Sequence, residues 1–293
     1  MRIWIGMGSN MGDRWEHLTA ARAALAALPG VQLEAFSRFW SNPPIGGPQG
    51  QGTFLNAAAQ LRLDDEANPK LSWLERAEWL LDQLQAIERQ RGTAKTTRWD
   101  QRPLDLDLLL VGPEQVGSSA RLRIPHPRMT HRRFVLVPLH EIAPHVAIPP
   151  LNRTVADLLT HLDRQPRIAT IVGPDAPRFA QRLLDHLAHP IPPPNWIIRP
   201  LINDPNPPVP PSQITLIIHS QVVPPLRGNN HDHSLPEGWE TIPQVRPEFD
   251  PLAEALAALA SLDAAVLPAS EQSHSPTADS LPPSSPAQEP GAG

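Results

Sequence analysis

The segment Arg98-Trp99-Asp100-Gln101-Arg102-Pro103-Leu104-Asp105-Leu106-Asp107-Leu108-Leu109-Leu110 constrains the fold of this chain more than any other. Its basic and aromatic start gives way to an alternating and then wholly apolar run, the pattern of a strand buried at the centre of a sheet. Alternation across a strand puts Asp105 and Asp107 on one face, roughly 6 to 7 Å apart at Cα, with Leu106 and Leu108 on the other. Two carboxylates so placed repel, and beside a core they need a cation to hold them together. A hard divalent ion such as Mg²⁺ suits an oxygen-only pair, and Arg98 and Arg102 can bring phosphates to the same place. A solvated strand face carrying two aspartates fits the spacing equally well, because Asp-x-Asp is a short motif.

Composition divides the chain. Of its 38 prolines, 13 precede Asp163 and 25 follow it, so a boundary is expected there. The net charge of -5 gives no global basic field for nucleic acid, and an anion site has to come from local clusters such as Arg89 to Arg102. Cysteine is absent, which excludes disulfides, thiolate catalysis and cysteine-based zinc sites. Met1 to Gly8 has too short an apolar run for a signal peptide, and no stretch is long enough to span a bilayer. The sequence therefore predicts a soluble cytoplasmic protein with small-molecule substrates and neither nucleic acid nor membrane as partner.

Arg2 to Gly8 reads as a first strand, and the turn Gly8-Ser9-Asn10-Met11-Gly12-Asp13 opens a helix from about Trp15 to Leu28. Val31 to Trp40 alternates as a strand, and the proline- and glycine-rich Ser41 to Gly52 is a long loop able to present main-chain groups to a flat polar ligand. Phe54 to Leu63 is a strand and Leu71 to Arg91 a long amphipathic helix. Gln85 and Glu88 fall on or beside its buried stripe, where polar groups need partners. Pro125 and Pro127 hold His126 in an extended backbone that aims its imidazole. Thr154 to Leu162 would be a closing helix. The order β-α-β-β-α-β predicts an α+β, ferredoxin-like sandwich of a mainly antiparallel sheet with helices, plus a Pro-rich C-terminal extension.

Met1 to about Pro150 resembles the 6-hydroxymethyl-7,8-dihydropterin pyrophosphokinases. The resemblance is carried by Gly8-Ser9-Asn10-Met11-Gly12-Asp13-Arg14, Pro43-Pro44-Ile45-Gly46, Phe54-Leu55-Asn56-Ala57, Ile87-Glu88-Arg89-Gln90-Arg91-Gly92, Arg98-Trp99, Arg102 to Leu109, Ile124-Pro125-His126-Pro127-Arg128-Met129, Arg132 to Leu136 and Pro138 to Pro144. It implies transfer of a pyrophosphoryl group from ATP to the pterin's hydroxymethyl oxygen, giving the pterin diphosphate and AMP in folate biosynthesis. By the same resemblance Asp105 and Asp107 bind two Mg²⁺ ions and act with Arg102 and His126 in catalysis. Gln85, Glu88, Lys95, Arg98, Trp99, Arg121 and Arg132 match ATP-site positions. Asn42, Pro43, Pro44 and Ile45 match the pterin loop, Asn56 the residue on the pterin edge, and Phe54 and Phe134 the two rings that sandwich it.

Three departures stand out. Asp100 and Gln101 replace a small residue and proline, Pro127 stands where some members have tyrosine, and Thr93 and Lys95 stand where arginines are usual. A weakened phosphate clamp follows, so restoring an arginine at position 93 is expected to raise kcat/KM for ATP. These departures also motivate an alternative, a catalytically weak pterin- and ATP-binding regulatory module. The expected domains are residues 1–162 for the pyrophosphokinase, 163–267 for a small α/β appendage of unknown role and 268–293 for a disordered tail.

Overall fold

The computed structural model describes residues 1–45, 50–64, 71–93, 101–112, 116–149, 151–163, 167–172, 176–187, 196–201, 214–217, 255–256, 259–260 and 266–269. In chain order the elements begin with β1 (Arg2–Ser9), α1 (Arg14–Ala26), β2 (Val31–Phe36), β3 (Trp40–Asn42) and β4 (Phe54–Leu63). There follow α2 (Trp73–Gln90), β5 (Asp105–Val111), β6 (Gly117–Ser118), β7 (Arg123–Ile124) and α3 (Arg133–Ile142). Then come β8 (Ala147–Ile148), β9 (Arg153–Thr154), α4 (Val155–Leu162), β10 (Arg167–Val172) and α5 (Ala176–Leu187). The last are β11 (Trp196–Leu201), β12 (Ile214–Ile217) and β13 (Leu267–Pro268).

The main sheet runs β13-β3-β4-β1-β5, with β2 also on β4, and all its pairings are antiparallel. An α+β architecture is therefore present. Alternation along the strands separates two cores. Ile3, Ile5, Leu106 and Leu108 pack with Leu18 and Leu25 of α1 and Leu80 and Leu84 of α2. Trp4 and Leu109 pack on the opposite face with Leu136 and Leu139 of α3 and Leu158 and Leu162 of α4. Helix starts are fixed by side chains that accept from otherwise orphaned N–H groups: Asp13 for α1, and reciprocal capping boxes Ser72/Glu75 for α2 and Thr154/Asp157 for α4.

Two expectations need correction. The Asp-Leu-Asp strand sits at the edge of the sheet and not at its centre. Val31 to Trp40 is not one strand, because Ser37 breaks it: its hydroxyl accepts from the Ala58 N–H at 2.9 Å and its own N–H donates to the Ala58 carbonyl at 2.9 Å. The helix α3 was not among the expected elements, because its internal Pro138 hides it from a periodicity reading. Further contacts come from the C-terminal third. Ala169, Ile171, Phe179, Leu183, Ala255 and Leu259 share one apolar cluster with Trp4 and Leu109, and Pro268, assigned to the tail, pairs with Trp40 of β3. Within that third, β11-β10-β12 form a separate parallel sheet. Among the described residues no helix is long and apolar enough to cross a membrane.

Candidate active site

Asp105 and Asp107 lie half-buried on the same face of β5, as alternation requires, and the residues opposite them on β1 are Gly8 and Gly6. Directly opposed residues share a face, so glycines there leave the space above both carboxylates empty of side chains. The glycines have little room to be anything else. A Cβ on Gly8 would lie 3.2 Å from Asn56 Oδ1, and one on Gly6 would lie 3.3 Å from the buried Leu109 side chain. The result is a pocket of about 250 Å³ whose lining includes Gly6, Met7, Gly8, Asp105 and Asp107.

Because β5 is an edge strand, its outward backbone groups need partners from elsewhere, and those partners build the site. Glu88 at the end of α2 accepts from the Leu106 N–H at 2.7 Å, between the two aspartates in sequence. Burial, with the negative charges of Asp105 and Asp107, pushes the Glu88 carboxyl up to about 7, against the opposing effect of that hydrogen bond. On the same edge the His126 N–H donates to the Leu109 carbonyl at 2.8 Å. Thr93 holds the residue before Asp105 from both sides: its hydroxyl donates to the Leu104 carbonyl at 2.7 Å and accepts from the Leu104 N–H at 3.2 Å.

This geometry reverses the expectation for Thr93. An arginine there cannot reproduce a hydroxyl that donates to the carbonyl and accepts from the N–H of the same residue, and it leaves both Leu104 backbone groups without that partner. Thr93→Arg is expected to lower kcat/KM for ATP by roughly tenfold, the equivalent of the one or two hydrogen bonds lost. Steady-state rates at saturating pterin and varied ATP measure it, and a gain would show that the side chain reaches the phosphates instead.

The cationic wall comes from Arg102, Arg128 and Arg132 with His126. Arg102 reaches Asp105 Oδ1 at 2.6 Å, while its own N–H is held by Asn10 Oδ1 at 2.8 Å. The Asp105 carboxyl is raised by burial and by Asp107, with Arg102 pulling the other way. Burial, reinforced by the neighbouring Arg132 charge, lowers the His126 imidazole to about 3, so it is neutral at physiological pH. Its Nδ1 accepts from the Arg128 N–H at 3.2 Å, which leaves the proton on Nε2 as a donor. Behind it His131, also lowered to about 3 by burial, is neutral too.

Opposite the aspartates the pocket is lined by Asn42, Ile45, Gln51, Phe54, Asn56 and Phe134. Asn56 stands on β4 and donates from Nδ2 to Asn42 Oδ1 at 2.5 Å, while Asn42 Nδ2 donates to the Pro43 carbonyl at 2.7 Å. Two side-chain amides thus present donors and acceptors toward a space flanked by two phenyl rings. The Arg132 guanidinium lies 5.4 Å from the Phe134 ring centre, joining this apolar end to the cationic one.

Of the residues singled out from sequence, Arg102, Asp105, Asp107, His126, Arg132, Asn42, Ile45, Phe54, Asn56 and Phe134 come together around this pocket. Others stand apart from its lining. Pro43 and Pro44 flank it in the loop, Gln85 lies half-buried one turn before Glu88 on α2, and Glu88 itself is engaged behind β5. Arg121 pairs with Asp82 of α2 at 2.5 Å on an exposed face. Lys95, Arg98 and Trp99 lie outside the described residues. The sequence reading missed Arg128 and Gln51 as lining residues, and Asn10 as the connector whose Nδ2 donates to Gln51 Oε1 at 3.0 Å. Its position directly after the first strand in Gly8-Ser9-Asn10 was the available signal.

A divalent ion fits the aspartate pair. The donors are oxygen-only, Asp105 is held as a carboxylate only against burial and a like charge, and Arg102 occupies the cation's role at one oxygen. Among the described residues no group of three acidic, histidine or cysteine side chains forms a complete metal cage. The remaining ligands of an ion on Asp105 and Asp107 would therefore be substrate oxygens and water, the usual arrangement for Mg²⁺ at a phosphate-handling site.

Residues 4–144 match the family model described as 7,8-dihydro-6-hydroxymethylpterin-pyrophosphokinase (HPPK). Over 146 residues the chain is 40% identical to the 2-amino-4-hydroxy-6-hydroxymethyldihydropteridine pyrophosphokinase of Haemophilus influenzae, covering 84% of that protein and 50% of this one. The chain belongs to the HPPK family. Its Synechocystis relative of the same name is 38% identical over 173 residues, 80% of that protein and 59% of this one. A crystal structure of wild-type Plasmodium falciparum HPPK-DHPS aligns at a TM-score of 0.39 and 11% identity, covering 74% of this chain and 56% of that one, a likeness that transfers nothing further. The HPPK match ends at Pro144, just after α3, and every described residue that lines the pocket precedes that point.

Proposed function

We propose that this chain transfers a pyrophosphoryl group from ATP to the hydroxymethyl oxygen of 6-hydroxymethyl-7,8-dihydropterin, releasing AMP, as a step of folate biosynthesis in the cytoplasm. The observation that carries the reading is a single pocket with an aspartate pair and a cationic wall at one end and two phenyl rings with two amides at the other. A flat heterocycle with a polyphosphate partner matches both ends at once.

In this reading Phe54 and Phe134 stack on the pterin, and the amides of Asn42 and Asn56 read its hydrogen-bonding edge. Pro43, Pro44 and Ile45 close that side with main-chain contacts. Arg102, Arg132 and the Nε2–H of His126 donate to phosphate oxygens, where guanidiniums supply planar pairs of donors. His126 serves as a neutral donor and not as a base, since its imidazole does not bind a proton near neutral pH. Gln85, Glu88, Lys95, Arg98, Trp99 and Arg121 complete the nucleotide side. Asp105 and Asp107 would hold two Mg²⁺ ions, which would supply charge neutralisation at the phosphates and alignment of the displacement.

The test is AMP formation by the purified chain with ATP, Mg²⁺ and hydroxymethyl-dihydropterin. Stoichiometric AMP and pterin diphosphate are expected. Binding of both ligands without AMP would make the chain a pterin- and ATP-binding module instead.

A further inference from the structure

The strand that carries Asn42 into the pocket is only three residues long, Trp40 to Asn42, and it pairs with β4 along one edge. Its other edge is not left to solvent. β13 pairs with it antiparallel, Leu267 opposite Ser41 and Pro268 opposite Trp40, and the Ala269 N–H donates to the Phe39 carbonyl at 2.9 Å. The chain that delivers this strand is anchored separately, because Ala255 and Leu259 are buried in the apolar cluster beneath α3 and α4. Ala269 packs on the other core, where Phe36 and Phe39 also lie. A segment more than 200 residues downstream therefore closes the edge of the strand that ends at the pocket.

We infer that residues 267–269 are a positioning strap for the pterin end of the site, holding β3 so that Asn42 meets Asn56 in a fixed geometry. The inference rests on the reading that this end of the pocket takes the pterin. A strand this short cannot hold its own register with one neighbour, since three residues offer few ladder bonds, and a second neighbour roughly doubles them. On its far side β3 is tied to α3: Trp40 Nε1 donates to Glu141 Oε2 at 3.0 Å and Arg38 Nε donates to Glu141 Oε1 at 3.0 Å. Since α3 begins with Phe134 at its second residue, the strap, β3 and the ring-bearing helix form one continuous chain of contacts. The strap touches β3 at Phe39, Trp40 and Ser41 and acts on Asn42 and Phe134 through β3 and α3, while Asp105 and Asp107 lie at the opposite edge of the sheet on β5. Its effect is accordingly confined to the pterin.

Three variants of the full chain test this. Ala269→Pro removes the N–H that donates to Phe39, and Ala269→Gly keeps it. Ala269→Pro is expected to raise the Kd for hydroxymethyl-dihydropterin about tenfold, while the Kd for a non-hydrolysable ATP analogue with Mg²⁺ stays within about twofold and Ala269→Gly behaves as wild type. Equal losses for both ligands, or no loss for the pterin, would overturn the strap. The third variant, Ser41→Cys with Leu267→Cys, places the only cysteines of the chain at directly paired positions. Mild oxidation should cross-link them, since paired strand positions lie within disulfide reach, and leave pterin affinity at or above the wild-type value. Failure to cross-link would overturn the pairing itself. Wild-type protein that binds no pterin would instead refute the site assignment, and the cross-link would still report on the strap.

Discussion

Asp105→Ala and Asp107→Ala are each expected to lower AMP formation by roughly three orders of magnitude, about 4 kcal/mol of transition-state stabilisation, with the fold intact. The two carboxylates occupy one face of β5 above glycines that contribute nothing to binding, so no neighbouring side chain replaces a lost ligand. Thermal stability should move the other way or not at all. Asp105 sits where burial and Asp107 already disfavour its charge, and truncating either acid relieves that repulsion. Asp105→Ala also releases Arg102 from its 2.6 Å contact, so of the two it should show the larger rise in KM for ATP. Rates at saturating Mg²⁺, read beside melting temperatures, separate the cases: near-normal turnover in either variant would remove the metal assignment, and inactivity with a collapsed melting temperature would make the pair structural.

The aspartate pair was legible because a period of two is a local property, fixed wherever the strand runs. Its place in the sheet was not. A wholly apolar run such as Leu108 to Val111 reports burial on both faces, and here helices cover both, so the run looks like that of a central strand even though β5 is last in order. What replaces the missing neighbour strand is a set of single groups, the Glu88 carboxylate, the Thr93 hydroxyl and the His126 N–H, which carry no periodic signature. Thr93 is the clearest instance. Compared with related sequences it reads as a lost arginine, yet its hydroxyl makes the two hydrogen bonds that fix Leu104.

Other features were hidden by their size. β3 and β13 have three and two residues, too few for any pattern, and their pairing links positions separated by most of the chain. The helix α3 was obscured by Pro138, which removes one helical hydrogen bond but is tolerated where Val135, Leu136 and Leu139 are buried on either side of it. The Phe54 and Phe134 pair drew its meaning from resemblance, and the folded chain brings both rings to the pocket because β4 and α3 pack against one another.

Glu88 should prove a residue that acts through the backbone. Its carboxylate caps the Leu106 N–H, an edge donor that has no strand partner on that side. Glu88→Ala leaves that donor without its acceptor, which costs about 1 to 3 kcal/mol and loosens the peptide joining the two aspartates; kcat is expected to fall by between tenfold and a hundredfold. Glu88→Gln keeps an oxygen in place and should retain activity within a few fold. The pH dependence of stability distinguishes capping from charge. The folded carboxyl titrates at about 7, above the ordinary glutamate value of 4.5, so its favourable contribution is present at low pH and is lost as pH rises through 7 and the buried group ionises beside Asp105 and Asp107. Glutamine never ionises. Glu88→Gln should therefore melt higher than wild type at pH 8, with the difference shrinking as pH falls and nearly gone at pH 4, below the ordinary glutamate value, where the carboxyl is neutral in the folded and the unfolded chain alike. A kcat loss in the glutamine variant as large as in the alanine one would mean that Glu88 works through its charge and not through the strand it holds, and an equal melting offset at the two pH values would mean that ionisation of the buried carboxyl is not what separates the two proteins.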